Sequence, residues 1–302
     1  MNTYLDCFQY QALPTGVQVT PFLGNAFRFA GTQAAATTTL SVPGNAVTVQ
    51  MNAYATLYIF DGPSSEVVQV SGTILPGATS IALVAATQYQ HLAGVAVCSD
   101  GISGSLGEQI LTASRWMEDE MCYQPLWSTT YTGEVLTMPT MRASIDNRSN
   151  LHFRPRHFPI TALSAISIQT SQQNIAGYDP TQAIIDADQQ TVDIPNLQVV
   201  SNTQGQAASS IWQPGLSRGN NAWIVITYTA GFAVGKLPRT VMRACALLTS
   251  ECFQQLENPM GADSIQQNKR NVTFMLRGDQ SGESLLVKQA RKLLSPYVTQ
   301  SF

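Results

Sequence analysis

The chain has 302 residues, 44% of them apolar and only 12% charged, with a formal net charge of −3. That length is enough for one large core or two modest ones. The weak acidic balance excludes bulk electrostatic attraction to nucleic acid, and no apolar run reaches the ~20 residues that a helix needs to cross a bilayer.

Charged residues stand at about half their usual share, and Gln, Thr, Ser, Asn and Ala take their place. Such a surface suits a protein that buries much of its exterior against neighbours, because charge is depleted at interface cores. The charges are also unevenly spread. Arg28 is the single basic residue in the first hundred, whereas nine basic residues against five acids follow from Lys236 onward. A basic C-terminal part fits either a solvated helix face or an acidic partner.

Residues 1–25 show no sustained period and read as an N-terminal arm or partial helix that ends at Pro14-Thr15-Gly16. From Thr37 the texture changes to short β-branched runs: TTTLSV, AVTVQ, ATLYIF, SEVVQV, SIALVAA and GVAVC. Turn signals at Pro43-Gly44-Asn45, Asp61-Gly62-Pro63-Ser64 and Pro76-Gly77 divide them. Short strands at this spacing predict a small all-β barrel or sandwich domain over 26–102. A glycine-containing joint, Gly101 to Gly104, then marks a boundary near residue 102.

Ser105-Leu-Gly-Glu108 forms a capping-box pattern that starts a helix near 105–122. Leu106, Ile110, Ala113, Met117 and Met121 fall on one face of it, and Pro125 rules out continuation. Glu118, Asp119 and Glu120 crowd the last turn, where the helix dipole disfavours acids. That cost predicts a solvated or partner-facing end.

Strand-like segments follow: EVLTM, LHF, LSAISIQT, TVDI, LQVV and AWIVITYTAG. In the last, Trp223, Val225 and Thr227 alternate with Ile224, Ile226 and Tyr228. Both faces are mainly apolar, which predicts a central strand. A second helix near 238–257 opens at Pro238, carries a stripe of Val241, Cys245, Leu248, Cys252 and Leu256, and stops at Asn258-Pro259. A third near 284–295 presents Leu286, Ala290 and Leu293, with Tyr297 beyond. The long, polar and basic stretch between them, 261–282, reads as a loop in which only NVTFML resembles a strand. The predicted class is α+β: a small helical bundle with an antiparallel β-sheet in 103–302, preceded by the β-domain.

Candidate chemistry is sparse. Five cysteines make no CxxC pair and no metal-ligand spacing. Their odd number, with no leader pattern, predicts a reducing compartment. His91 has Asp100 nearby in sequence, yet no nucleophile elbow exists for a triad, so a turn or hydrogen-bonding role is preferred. Arg154, Arg156 and His157 flank Pro155 and would suit phosphate contacts with passing DNA. Ion pairing between subunits is the preferred reading, since a conduit that gripped DNA would slow its exit. Asp179, Asp186, Asp188 and Asp193 do not match a calcium loop, and no glycine-rich phosphate loop follows a strand. No metal, cofactor or enzymatic activity is expected.

The order of ILTASRWMEDEMCYQPLW, RPRHFPITALSAISI, ITYTAGF, a long helix at Leu237-Pro238 and a final KLLSPY resembles the head–tail connector (adaptor) proteins of long-tailed double-stranded DNA bacteriophages. The likeness covers residues 105–302. It implies a protein of the virion neck at the capsid portal vertex, made in the host cytoplasm. Such proteins form homo-oligomeric rings, usually of twelve subunits, bound beneath the portal protein. The ring continues the channel for double-stranded DNA and receives the stopper or tail proteins. It also implies that the C-terminal segment meets the portal, here Lys288, Arg291, Lys292, Leu293, Leu294 and Tyr297. Arg154, Arg156, His157, Lys269 and Arg270 are the ring-interface or channel candidates. The β-domain has no counterpart in that pattern. An alternative function is therefore a receptor- or glycan-binding module there, with Tyr54, Tyr58 and Tyr89 as stacking platforms.

Overall fold

The computed structural model describes residues 1–13, 19–120, 125–138, 143–145, 150–170, 173–186, 190–195, 222–257, 264–267, 270–273 and 284–298. Helices and several antiparallel sheets are mixed, as the α+β expectation requires. The chain divides into two units, one of Met1–Tyr123 with Val234–Val298 and one built on Gln124–Ala233. A division near residue 102 is not observed, for a local reason. Gly107 lies against Tyr58, where an added Cβ would stand 2.2 Å from the ring's Cγ. That close approach seats the helix beginning at Leu106 on the N-terminal strands.

In the first unit, β1 (Leu23–Arg28), β3 (Thr56–Phe60), β4 (Glu66–Gln69) and β6 (Ala96–Asp100) form an antiparallel sheet in the order β1-β6-β3-β4. A separate ribbon pairs β2 (Thr39–Ser41) with β5 (Ser80–Ala82). One core serves both, with Leu40, Leu57, Ile59, Val70, Ile81 and Val97 almost fully buried. Burial alternates along β2, β4 and β5, as inward-facing residues at period two produce, whereas the central β3 and β6 are buried almost throughout.

A fourfold repeat underlies this part. Gln33, Met51, Ile74 and His91 each precede a tight turn whose fourth residue counted from them has positive φ: Ala36 at 58°, Tyr54 at 65°, Gly77 at 82° and Gly94 at 90°. The four pair by backbone bridges, Gln33 with His91 and Met51 with Ile74. Ala55, Gly77's neighbour Ala78, and Val95 each donate their N–H back three residues, to Asn52, Leu75 and Leu92. This turn favours glycine at its third position, because a side chain there is strained.

Four helices complete the unit: α1 (Cys7–Ala12), α2 (Leu106–Glu120), α3 (Arg239–Glu257) and α4 (Leu285–Leu294). The Ser105 hydroxyl caps α2 by accepting from the Glu108 N–H at 3.0 Å, and Leu106, Ile110, Ala113 and Met117 are wholly buried. In α3 the expected stripe holds for Val241, Cys245, Leu248 and Cys252, but Leu256 is exposed. Of the arm and the partial helix expected in 1–25, the described residues form the helix, α1. Tyr4, Leu5, Cys7 and Tyr10 are buried, Asp6 and Gln9 make a capping box on α1, and the Tyr10 hydroxyl meets Ser250 Oγ of α3 at 2.9 Å. Aromatic bulk with one hydrogen-bonding tip ties this segment down, a signal that helical periodicity does not carry.

The Gly107–Tyr58 approach has a measurable consequence. Gly107→Ala should destabilise the chain by about 2 kcal/mol, because overpacking against the base of the ring outweighs the gain in helix propensity. Chemical denaturation of the two proteins measures it, and an unchanged midpoint would contradict the packing described.

In the second unit, β7 (Thr129–Met138), β10 (Ile160–Thr170), β11 (Gln173–Tyr178) and β14 (Ala222–Ala230) form a sheet in the order β11-β10-β14-β7. A second sheet runs β12-β13-β9-β8, from β8 (Ala143–Ile145), β9 (Leu151–Phe153), β12 (Ile184–Asp186) and β13 (Thr191–Ile194). Both contribute to one core, including Leu151, Val192, Ile194, Ile224 and Ile226. β14 is central, as its two apolar faces predict, but Trp223, Val225 and Thr227 stay partly exposed. Gly231 has φ 104°, and a Cβ there would sit 2.4 Å from the Trp127 carbonyl oxygen, so only glycine fits. Within the stretch read as a loop, β15 (Ser264–Gln267) pairs antiparallel with β16 (Arg270–Thr273).

Candidate functional site

The C-terminal helix is placed by its cap. The Ser284 hydroxyl accepts from the Leu286 N–H at 3.1 Å and donates to the Glu251 carboxylate of α3. Val287, Ala290 and Leu294 are then buried, while Leu285 is 47% exposed. The inward stripe is thus rotated by one residue from the expected Leu286 and Leu293. Arg291 grips Glu120 of α2 with two bonds, Nε to Oε2 at 2.6 Å and Nη2 to Oε1 at 2.8 Å. That guanidinium holds the Glu120 carboxyl below its ordinary range despite partial burial.

At least three of the six residues expected at the portal, Arg291, Leu294 and Tyr297, are engaged within the chain. Leu294 is core and Arg291 is paired, because the helix docks on its own unit through the stripe that carries them. Lys292 is exposed, Lys288 and Leu293 are partly exposed, and the Tyr297 hydroxyl lies 3.5 Å from Thr240 Oγ1. The acidic end of α2 likewise faces its own chain. Glu118 accepts from Asn2 Nδ2 and from the Tyr4 hydroxyl, both at 2.6 Å. Of the three acids only Asp119 is exposed. The dipole cost at this end is offset by charge-assisted bonds, so the end expected to be solvated or partner-facing is an internal clasp at Glu118 and Glu120 and is exposed at Asp119.

In the second unit, the Arg154-to-His157 segment is mostly turned inward. Arg154 donates to Gln190 Oε1 at 2.7 Å and its guanidinium lies 5.3 Å over the Phe158 ring. The Arg156 N–H donates to Glu134 Oε1 at 2.9 Å, and its side chain is exposed. The His157 ring stacks on Tyr131 at 3.8 Å, and its backbone N–H donates to the Tyr228 hydroxyl, which donates in turn to Glu134. Of the three, Arg156 alone keeps an exposed side chain. Lys269 lies outside the described residues, as does the side chain of Arg270.

Burial, helped by Arg156, pushes the His157 imidazole down to about 4. Its folded value lies below the unfolded one, so its contribution is complete above pH 6.5 and is lost as pH falls toward 4. Acidification across that window should cost about 2 kcal/mol after allowing for solvent screening. His157→Phe should flatten the profile; an unchanged slope in the variant would contradict the assignment.

His91 is fully buried between two carboxylates: Nδ1 to Asp61 Oδ2 at 2.8 Å and Nε2 to Glu66 Oε1 at 2.6 Å. Burial pushes its pKa down, but the two carboxylates outweigh this and hold it above the ordinary value. Both nitrogens are occupied, so the ring offers neither a base nor a ligand position, and Asp100 is not its partner. Among the described residues no group of three or more His, Cys, Asp or Glu is placed to hold a metal ion. Asp179 caps Thr181, and Asp193 pairs with His152 at 2.7 Å. Burial pushes the Cys245 and Cys252 thiols up to about 12 and 11, which leaves them protonated and unreactive.

An open groove of about 350 Å³ lies in the first unit, where Gly24, Asn25, residues 49–55, Ser99 and Asp100 meet. Tyr54 is 67% exposed at this groove; Tyr89 is 39% exposed, and Tyr58 is buried under Gly107. The sequence singled out all three tyrosines but not the groove. The missed signal was the recurring turn, in which tyrosine stands where two of the three sister copies have glycine.

Neither a protein-family model nor a curated protein matches the chain.

Proposed function

We propose that this protein is a structural subunit of a virion neck, forming a ring of about twelve copies beneath a portal protein and joining the capsid to stopper or tail proteins. The motif order over 105–302 motivates the reading, and the observation that carries it is the edge strand β7. It runs ten residues, from Thr129 to Met138. Glu134 is its one charged residue, Val135 is 56% exposed, and no strand among the described residues pairs along its outer edge. An edge of this length with a single charged residue favours pairing with another chain.

β11 offers the opposite edge of the same sheet. Contact between the β7 edge of one copy and the β11 edge of the next is heterologous, and it closes into a ring where the rotation allows. In this reading the helices act as a small bundle and the N-terminal strands as a closed β-module. Lys288, Lys292, Leu293 and Tyr297 face the portal, and Arg156 lies toward an interface or the DNA channel. The protein works by packing, with no catalytic step.

Val135→Lys places charge on the edge strand at an exposed position, where such changes usually stay within ±0.5 kcal/mol. The variant is expected to fold normally and to fail to form rings on portal-bearing capsids in electron micrographs. Rings of normal occupancy would rule out this edge as the contact.

A second reading, a receptor- or glycan-binding module in the N-terminal strands, is favoured by the exposed Tyr54 at the groove.

A further inference from the structure

We infer that the groove at Tyr54 is a binding site for a neutral saccharide. This deepens the second reading above and does not depend on ring assembly.

Three observations converge. The first is strain. Tyr54 holds φ at 65° in a turn where two of the three sister positions are glycine, Gly77 and Gly94. A bulky residue in the left-handed region is an outlier, and strain of this kind concentrates at ligand sites. The second is exposure. At 67% exposed, the Tyr54 ring gains little from packing within the chain, so neither backbone geometry nor core burial accounts for tyrosine here. Val49, 57% exposed, adds a second apolar surface to the groove.

The third is that the walls are held in place. β1 carries a bulge between Leu23 and Ala26, where a Cβ on Gly24 would stand 2.3 Å from the Asp100 carbonyl oxygen. Bulges re-aim side chains next to functional sites. Here the bulge delivers Asn25, which is 1% exposed, to the 48–49 segment. Its Oδ1 accepts from the Thr48 N–H at 2.7 Å, the Val49 N–H at 2.9 Å and the Thr48 hydroxyl at 3.2 Å. Its Nδ2 donates to the Val49 carbonyl at 2.8 Å. The Ser99 hydroxyl accepts from the Asn25 N–H at 2.8 Å. A site whose walls are pre-ordered loses less entropy on binding.

The lining selects the ligand class. Gln50, Asn52 and the exposed Asp100 offer amide donors, amide acceptors and a carboxylate acceptor, which match arrays of hydroxyl groups. The tyrosine face packs against the C–H face of a sugar ring, and its hydroxyl stays wet. No basic residue lines the groove, so phosphates, nucleotides and acidic sugars find no counter-charge. The volume lies within the range of small-ligand sites and suits a short saccharide.

The test titrates the full-length protein with neutral trisaccharides built from glucose, galactose, mannose or N-acetylglucosamine, using calorimetry and saturation-transfer NMR. At least one should bind. Tyr54→Gly relieves the strain and removes the ring, so its melting temperature should be no lower than the parent's while affinity falls about tenfold or more. Tyr54→Phe should bind within a factor of about three of the parent. Binding that survives Tyr54→Gly would overturn the groove assignment while leaving saccharide recognition elsewhere on the chain. Silence across the panel would overturn both the groove and the receptor-binding reading, and tighter binding of a sulfated trisaccharide than of its neutral counterpart would overturn the ligand class.

Discussion

Replacing His91 with alanine is expected to cost about 3–5 kcal/mol, the range for removing one partner from a buried charged cluster. The Asp61 and Glu66 carboxylates both point at its ring, and Glu66 is itself only 8% exposed. Without the imidazole they face each other across a void with no cation between them. Glu66 cannot simply turn away, because it also accepts from the Gln88 N–H at 2.8 Å. Adding Glu66→Gln to the alanine variant should recover part of the loss, and a simple void would show no such recovery.

The same cluster sets a pH dependence opposite to that of His157. Only the imidazolium has an N–H for each carboxylate. The folded pKa of His91 is raised, so its contribution is complete below pH 6.5 and declines as pH rises through the raised value. Acid therefore favours the first unit through His91 and disfavours the second through His157. Unfolding followed separately in the two units between pH 5 and 8 should shift in opposite directions, and each slope should vanish with its own histidine.

Deleting residues 284–302 is expected to destabilise the first unit severely. Val287 and Leu294 are 4% and 0% exposed, and burying two such side chains contributes about 3–6 kcal/mol. The deletion also removes the Arg291–Glu120 pair and the Ser284–Glu251 bond. Against a total stability of about 5–15 kcal/mol, the truncated chain should expose apolar surface and melt far below the parent. Failure of such a truncation to join capsids would therefore report unfolding rather than loss of a docking element. Lys288→Glu with Lys292→Glu separates the two, because it reverses charge on the outer side of α4 and keeps its buried stripe. That variant should melt near the parent and fail to attach to the portal. A truncated chain with the parent's melting temperature would contradict the packing of α4.

Much of this was legible in the sequence where one period governs one element. The Ser105 cap and the Leu106, Ile110, Ala113, Met117 stripe of α2 were readable because cap chemistry and a 3.6-residue period agree. β14 was readable as central from its doubly apolar alternation. Other features depend on long-range pairing that no local window contains. Arg291 and Glu120 lie 171 positions apart, so the sequence offered them as a docking cation and a solvated acid. The short α4 carries apolar residues on adjacent positions, and its inward side was decided by contact with α3. Gly101 and Gly104 read as a hinge, whereas the close approach of Gly107 to Tyr58 seats the next helix on β3 within the same unit. The site at Tyr54 required a comparison the chain makes with itself: four turns of one kind, two with glycine at the positive-φ position, one with the small Ala36 and one with the bulky Tyr54.

The measurement that bears most directly on the ring-forming reading is electron microscopy of the purified full-length chain mixed with portal-bearing capsids. A closed ring of about twelve copies at the portal vertex is expected, lost with Val135→Lys. Portal vertices that stay bare at saturating protein, or density spread over the capsid faces instead, would contradict it.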